Sequence, residues 1–397
     1  MRPPPARLPP WRVFFPAAAL AGATTVALTL AARNGAWAPP GPWDVVRWHA
    51  HEMLWGHVLA AFVGVLTTAL PRWTGCPPLA PATVATLAVL WLVARLGALF
   101  DPTGWSLFAS PTFVAAAALV AARRILPADD GRDRPLLALL ALLAVADSAV
   151  VVGFHDETAL RLGLAAMLGI AAVMGGRIAP ALTRHLALGR GRDLDVAVPP
   201  GRDRAVALVT AAALLAWVAG ATGPLVAVLW TAAALLHLLR IAHWHGHTSL
   251  ARPSILALHV GYAGLALGFA LLATDAFGAG PGVIAVETLG SSSRLADAGL
   301  HAWGIGVFGL MCFAVQASVA RRHAGRPLAR DRLADFGSAA LALAWIARLV
   351  AASSLAALPL TLAALAWGLA EAALLGLALR PTVAVDRPIA PGEPTAT

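Results

Sequence analysis

The chain has 397 residues, of which 59% are hydrophobic and only 12% are charged, whereas roughly a quarter of the residues of a soluble protein are charged. This composition excludes a water-soluble domain, a disordered chain and a disulfide scaffold. The formal net charge of +9 comes from 20 acidic and 29 basic residues, and all of the basic residues are arginine. In so apolar a chain, this excess indicates membrane topology rather than a nucleic-acid partner.

A bilayer core about 30 Å thick is crossed by about 20 mostly apolar residues in a helix. By that measure the sequence predicts an all-α, multi-pass membrane protein with about twelve transmembrane helices, separated by clusters of Pro and Gly. We expect one membrane domain over residues 1–380, followed by a disordered, Pro-rich cytoplasmic tail at 381–397. The predicted spans, in chain order, are 13–32, 51–70, 79–100, 105–125, 136–154, 158–176, 205–222, 224–242, 254–273, 297–319, 335–352 and 356–379.

The arginines predict how these spans are oriented. If the N-terminus is inside, 23 of the 29 arginines fall in short inner segments, four fall in outer segments, and Arg95 and Arg348 lie within spans. Inner loops carry the excess of Arg in inner-membrane proteins, so this pattern predicts a bacterial inner-membrane protein with both termini in the cytoplasm. Cleavage of the first span as a signal peptide, after Ala36-Trp37-Ala38, is less favoured, because its apolar stretch is long and an odd number of spans would remain.

Ionisable residues within the predicted spans are candidate functional residues, because such residues are costly in a bilayer. The densest group lies at the outer end of the second span, where Trp48-His49-Ala50-His51-Glu52-Met53 is followed by His57. At helical spacing His49 and His57 share a stripe with Glu52 beside it, and they lie about 12 Å apart along the axis, so one metal cannot bind both. His51 points about 200° away from His49, which predicts a separate partner for it.

Three more histidines fall within the predicted spans. His301 opens the tenth span at the outer face, His237 lies in the eighth, and His259 lies near the inner end of the ninth, one turn before Tyr262. Neutral imidazole is the commonest metal ligand and the usual axial ligand of haem, so the set indicates bound metal or haem. Two other interpretations remain open, namely a protonatable site in a secondary transporter and histidines that only pack against helix backbone.

Arg95 and Arg348 lie inside predicted spans and therefore need an anion nearby. Haem propionates or an anionic solute would serve, and so would pairing with Asp147 or Glu371, the acids well inside the predicted spans. The sequence contains no Walker A motif, no G-x-G-x-x-G motif that opens a helix and no C-x-x-C-H haem attachment. These absences argue against ATP-driven transport, a nucleotide cofactor and a c-type haem.

Several short motifs, in order along almost the whole chain, make the sequence resemble the NnrS family of bacterial membrane proteins. They are Trp48-His49-Ala50-His51-Glu52-Met53, Pro71-Arg72-Trp73-Thr74-Gly75, Gly176-Arg177-Ile178-Ala179-Pro180 with Thr183, Leu258-His259-Val260-Gly261-Tyr262, His301-Ala302 with Gly306, Gly309 and Met311, and His323-Ala324-Gly325-Arg326-Pro327. The chain departs from the family pattern at Gln316-Ala317-Ser318 and at Arg321-Arg322-His323-Ala324. An arginine contact expected there on the cytoplasmic side is therefore in doubt.

The resemblance implies a protein that contains haem and copper and acts in nitric oxide metabolism or protection against nitrosative stress. The resemblance carries over only His49, His51, His259 and His301 as candidate cofactor ligands. Their positions within the predicted spans add Arg95 and Arg348 as cofactor-binding candidates, and the candidate metal ligands are His49, His51, His57 and His301. Glu52 and Tyr262 are the predicted proton relays of an NO-reducing oxidoreductase, and a sensor or scavenger of NO is the other hypothesis. We expect the partners to be the lipid bilayer, nitric oxide or a related small molecule, and an electron donor of unknown identity.

Overall fold

The computed structural model describes residues 9–41, 43–128, 131, 133–278, 293–326, 330–354 and 357–382. Over these residues the chain forms helices and no strands, which confirms the predicted all-α, multi-pass architecture. From residue 383 onward, the predicted tail lies outside the described residues. The helices are α1 (Pro10–Arg33), α2 (Val45–Thr74), α3 (Pro81–Phe100), α4 (Trp105–Ile125), α5 (Arg134–Val152), α6 (Asp156–Leu188), α7 (Pro200–Val218), α8 (Pro224–Ala242), α9 (Pro253–Gly278), α10 (Arg294–His323), α11 (Arg332–Ser354) and α12 (Ala357–Leu379).

Eleven of these twelve described helices are long and apolar enough to cross a membrane, and α7 is the exception. Its first turn carries Arg202, Asp203 and Arg204, so the apolar part of this 19-residue helix is short. The helix ends before Gly220, whose φ of +66° is a conformation that glycine adopts readily. The seventh predicted span, 205–222, therefore begins and ends a few residues too late, although α7 packs against α6 and α8 in the place predicted for it.

The two ends of the helical domain lie on the same side of the protein. Arg12, in the first turn of α1, donates a hydrogen bond from Nη2 to the carbonyl oxygen of Arg380, just after α12, at 2.9 Å. The helices α1 and α12 pack along each other. A chain whose ends meet on one side crosses the membrane an even number of times, which agrees with twelve spans and with both termini facing the same compartment.

Four central helices, α2, α6, α9 and α10, are the most deeply buried of the candidate spans. The peripheral helices expose large apolar side chains such as Leu208, Leu215 and Leu225, which suits contact with lipid chains. His49, His51 and His57 lie on α2, His259 lies on α9 and His301 lies on α10, so the fold places these candidate histidines on its central helices.

Two of the central helices contain π-helical segments, Glu52–Val58 in α2 and Ala302–Met311 in α10. Hydrogen bonds from residue i to i+5 widen a helix turn and change which side chains share a face, and such segments are frequent at functional sites. Ordinary helical spacing predicts neither segment. Each begins directly after a candidate ligand, His51 in α2 and His301 in α10.

The helices α9 and α10 approach each other closely through glycine. A Cβ atom on Gly261 would lie 2.6 Å from the backbone nitrogen of Met311, and one on Gly264 would lie 2.7 Å from the carbonyl oxygen of Ala302. Small residues let the backbones of membrane helices meet in this way. Two of the family-like motifs therefore pack directly against each other.

Candidate functional site

His49 is held on α2 by a side chain of α1. Its Nδ1 lies 2.9 Å from the hydroxyl oxygen of Thr29, and that hydroxyl donates its own hydrogen to the carbonyl oxygen of Thr25 at 2.7 Å. The hydroxyl oxygen of Thr29 must therefore accept the hydrogen bond from His49, so Nδ1 of His49 carries the proton. This leaves Nε2 of the half-buried imidazole with its lone pair, and no described residue bonds to that atom.

His301 on α10 has the same arrangement. Its Nδ1 donates to the carbonyl oxygen of Asp297, one turn earlier, at 2.9 Å, and the carboxylate of Asp297 lies 3.2 Å away. That carboxylate is held in turn by Arg348 on α11 at 2.8 Å. Across the described residues, nothing bonds to Nε2 of His301.

Both histidines are on central helices, His49 on α2 and His301 on α10, and Asp297 links His301 to Arg348. An imidazole whose Nδ1–H is bonded to an oxygen and whose Nε2 is free has the tautomer and the fixed ring of a typical metal ligand. We call His49 and His301 the outer histidine pair. Within the described ranges, no three His, Cys, Asp or Glu side chains form a group that would hold a metal, so this pair offers two protein ligands.

His51 points away from the outer histidine pair and is fully buried. Its Nδ1 lies 2.9 Å from Oε1 of Glu52, and its Nε2 lies 3.0 Å from Oδ1 of Asp147 on α5. The rings of Trp43 and Trp55 pack against it at centroid distances of 4.7 and 5.0 Å. With both carboxyl groups ionised, both ring nitrogen atoms donate hydrogen bonds, which only the imidazolium form can do.

The two carboxylates beside His51 are joined through Arg95 and Ser110. Arg95 donates to Glu52 Oε1 at 2.8 Å and to the Ser110 hydroxyl at 3.1 Å, and Ser110 donates to Asp147 Oδ2 at 2.7 Å. These five residues form a closed, buried ring, which we call the carboxylate ring. With His51 protonated it contains two positive and two negative charges, a balance that buried charges need.

Tyr262, which was predicted to lie near His259, bonds instead to residues of α8. Its hydroxyl accepts from Arg240 Nη1 at 2.8 Å and donates to His237 Nδ1 at 3.0 Å. His237 Nε2 donates to the Thr210 hydroxyl at 3.0 Å, and that hydroxyl donates to the carbonyl oxygen of Val206. The result is a directional chain of hydrogen bonds on the inner side of the bundle.

The inner chain begins at Asp203 on α7, whose carboxylate pairs with Arg240 Nη2 at 2.6 Å. Arg240 also donates to the carbonyl oxygen of Ala172 at 2.9 Å. Its guanidinium occupies the space above Gly176, where a Cβ atom would lie 2.3 Å from Nη2. The glycine that opens the motif on α6 is therefore needed for Arg240 to reach Tyr262.

His259 bonds to another residue of the α6 motif. Its Nε2 lies 2.7 Å from the Thr183 hydroxyl, which donates to the carbonyl oxygen of Ala179 at 2.9 Å, so the proton of His259 is on Nε2. Its Nδ1 is buried and has no hydrogen-bond partner in the part of the chain that is described. Gly246 covers that side of the ring, since a Cβ there would lie 2.8 Å from Nδ1.

His57 faces α1 and α12, apart from the other candidates. Its Nδ1 donates to the carbonyl oxygen of Ala18 at 2.9 Å, and its Nε2 lies 3.7 Å from Oε1 of Glu371.

The structure therefore distributes the predicted residues over four places rather than one pocket. His49 and His301 share the outer end with Arg348, His51 and Glu52 belong to the carboxylate ring with Arg95, and Tyr262 and His259 lie on the inner side. His57 lies apart from all three groups.

Five residues that hold these groups were not predicted from the sequence, namely Asp297, Thr29, Ser110, Asp203 and Thr210. Asp297 is the first residue of the predicted tenth span, and its position one turn before His301 is the signal that marks it as a partner. The hydroxyl residues carry no such signal, because Ser and Thr within membrane helices usually bond to their own helix backbone.

In a comparison with known families, the model of a family described as NnrS protein matches residues 7–382, nearly the whole length. A search of curated proteins finds no match. The matched region includes all twelve described helices and every residue of the outer histidine pair, the carboxylate ring and the inner chain.

Proposed function

This chain belongs to the NnrS family, and from that premise we propose that it is a haem- and copper-binding membrane protein acting in nitric oxide metabolism or in protection against nitrosative stress. The observation that carries the proposal is the outer histidine pair. The imidazoles of His49 on α2 and His301 on α10 each have Nδ1 bonded to an oxygen and Nε2 free of any bond to a described residue.

The donor atoms of the pair fit the proposed cofactors. Neutral imidazole nitrogen is a ligand of both haem iron and copper, and a ligating histidine almost always donates its other ring N–H to an oxygen. His49 donates to a hydroxyl and His301 to a carbonyl supported by a carboxylate. We propose these two residues as the haem ligands, with His259, whose free atom is Nδ1, as a further candidate.

Bound metals would supply NO binding and electron transfer, and the protein would supply position, charge and protons. Asp297 holds the His301 ring through its carbonyl and its carboxylate, and Thr29 holds the His49 ring. Glu52 accepts from both His51 and Arg95, so a proton held by His51 lies within hydrogen-bond reach of the carboxylate proposed as a relay. Tyr262 is proposed as the relay on the inner side, because its hydroxyl donates to His237.

The experiment that tests the proposal is an optical spectrum and a metal analysis of the protein purified in detergent after expression with haem precursor and copper supplied. We expect a Soret band and stoichiometric copper. A purified protein with neither a Soret band nor bound copper would contradict the proposal. Anaerobic consumption of NO with a chemical reductant then separates an NO-reducing oxidoreductase from a sensor or scavenger, since only the enzyme turns over repeatedly.

A secondary transporter is the alternative function, and we do not favour it. That hypothesis was based on the twelve spans and on intramembrane His and Arg, with Arg95 and Arg348 as the cations that would bind a solute. Arg95 pairs with Glu52 and Arg348 with Asp297, so each charge already has a counterion inside the protein. The same pairs weaken the proposal that these arginines bind haem propionates, which remains a prediction.

A further inference from the structure

His57 and Glu371 form a pair of buried polar groups near the middle of the bundle, apart from the outer histidine pair. His57 lies in the π-helical segment of α2 and is 2% exposed, and Glu371 lies on α12 and is 4% exposed. Nε2 of His57 is 3.7 Å from Oε1 of Glu371. Neither residue takes part in the carboxylate ring or the inner hydrogen-bond chain.

The hydrogen bond to Ala18 decides which atom of His57 faces the carboxylate. Nδ1 donates to that carbonyl oxygen at 2.9 Å, so in the neutral ring Nε2 carries the lone pair. Two acceptor atoms then face each other, Nε2 of His57 and an oxygen of Glu371. This arrangement is unfavourable unless a cation or a proton lies between them.

Glu371 has no other group to balance its charge. Its Oε2 is buried without a hydrogen-bond partner, and His57 is the one described residue at ion-pair distance from the carboxylate. A buried, unpaired carboxylate is costly, and proteins avoid it by pairing, protonation or coordination of a metal. The carboxylates of the ring, by contrast, are all paired.

The separation of the two atoms favours a metal over a shared proton. A hydrogen bond between nitrogen and oxygen needs about 2.7–3.2 Å, and 3.7 Å is too long for one. Two bonds of about 2.0–2.2 Å to a single metal ion span up to roughly 4.3 Å between the ligand atoms. The observed gap is therefore within the reach of one bridging ion without moving either helix.

A glycine lets α1 pack closely against both side chains. A Cβ atom on Gly22 would lie 2.6 Å from Nδ1 of His57 and 3.0 Å from Oε1 of Glu371. The ring of Trp367, one turn before Glu371, meets the His57 ring at 5.3 Å, and its buried Nε1–H has no described partner.

We propose that Nε2 of His57 and the carboxylate of Glu371 bind the copper ion, with water completing its coordination, at a centre separate from the outer histidine pair. An imidazole and a carboxylate suit copper among the first-row metals, and Cu²⁺ binds such donors more tightly than the earlier divalent metals of that row. This inference rests on the proposed function, because it assigns residues to one of the two proposed metals.

The test measures copper and haem separately in purified variants. His57→Gln and Glu371→Gln should each lose the bound copper and keep the Soret band, whereas His49→Gln and His301→Gln should lose the Soret band and keep copper. His155→Gln and Glu157→Gln, near the outer end of α6, are the matched controls and should keep both. Retention of full copper by the first two variants would overturn the inference and leave the proposed function standing. Absence of copper from the unmodified protein would instead contradict the proposed function.

A measurement on the unmodified protein keeps the inference testable if a variant does not fold. The electron paramagnetic resonance spectrum of bound Cu²⁺, compared with that of protein labelled with ¹⁵N-histidine, reports how many imidazole nitrogens bind the metal. We expect one. Two or more would place the copper at the histidines of the outer end or elsewhere and overturn the assignment.

Discussion

Arg348 on α11 donates from Nη2 to both carboxylate oxygens of Asp297 on α10, at 2.9 and 2.8 Å. Asp297 in turn holds the imidazole of His301, through its carbonyl oxygen at 2.9 Å and its carboxylate at 3.2 Å. Arg348 therefore orients His301 without contacting it. If His301 binds a metal as proposed, Arg348 acts as a positioning residue for that ligand.

Replacing Arg348 with Gln should weaken haem binding roughly 10- to 100-fold, the usual cost of removing a partner that orients a metal ligand. The measurement is a titration of haem into haem-free protein, followed at the Soret band. Arg330 is an exposed arginine just before α11 that pairs with Asp335. Arg330→Gln is the control and should leave the titration unchanged. Unaltered affinity in the Arg348 variant would mean that His301 needs no support from Asp297 and Arg348.

Thr29 should prove as important to His49 as Asp297 is to His301. Thr29→Val keeps the shape of the side chain and removes the oxygen that accepts from Nδ1, so the ring loses the partner that fixes its tautomer. We expect haem affinity to fall about tenfold or more. Thr29→Ser restores the hydroxyl and should restore binding, and equal losses in both variants would show that the methyl group, not the oxygen, matters.

The membrane fold was largely predictable from the sequence because hydrophobic run length and arginine placement are one-dimensional properties. The twelve helices correspond to the twelve predicted spans, although α6 continues to Leu188, well past the predicted end at residue 176. It does so because arginine side chains such as Arg177 and Arg184 are compatible with helix beyond the apolar region. Span counting measures the apolar core and not the helix itself.

The pairing of the buried groups was not predictable to the same degree. His51 was expected to have a different partner from His49, and it does, but its partner Asp147 lies 96 residues away. Helical periodicity relates only neighbours three or four positions apart. Arg240 is near the inner end of the predicted span 224–242. It lies in the last turn of α8, and its side chain reaches inward to Tyr262. Composition could not reveal the direction of that side chain.

The carboxylate ring should respond very differently to single and double substitutions. Arg95→Met leaves the Glu52 carboxylate buried with one charge uncompensated, which costs on the order of 3–5 kcal/mol of unfolding free energy. Arg95→Met combined with Glu52→Gln removes both charges and should recover much of that loss. The comparison is made by unfolding in detergent with increasing denaturant. Equal destabilisation by the single and double variants would contradict the pairing.

Tyr262→Phe tests whether the inner chain has a structural role, a role in proton transfer, or both. The variant removes the donor to His237 Nδ1 and the acceptor of Arg240 while keeping the ring in place. Loss of a buried hydrogen-bond partner costs about 1–3 kcal/mol, so we expect lower stability. If Tyr262 is also the relay, the rate of NO consumption falls in variant protein that is folded and loaded with haem. An unchanged rate with lowered stability would remove Tyr262 from the proposed relay.

Asp331 lies on the side of the protein where the two ends of the helical domain meet, and its contacts predict how the stability of the fold depends on pH. Its burial acts to raise its pKa, but a hydrogen bond from Arg380 at 2.5 Å and backbone N–H groups of α11 outweigh burial and hold the pKa below its ordinary value of 3.8. A carboxyl whose pKa is lowered by folding stabilises the protein fully above its ordinary pKa. That stabilisation is lost as the pH falls through the lower, folded-state value.

Asp331→Asn should therefore lower the melting temperature at pH 7, and the difference from the unmodified protein should shrink as the pH falls below about 4. Asparagine caps a helix as well as aspartate does, so the hydrogen bonds to Leu333 and Ala334 can persist and the comparison isolates the charge. Asp195→Asn, at an exposed loop position, serves as the control and should change the melting temperature little at either pH. Thermal unfolding in detergent across this range gives the result. A difference that stays constant or grows in acid would show that the Arg380–Asp331 pair does not stabilise the junction of α1, α11 and α12.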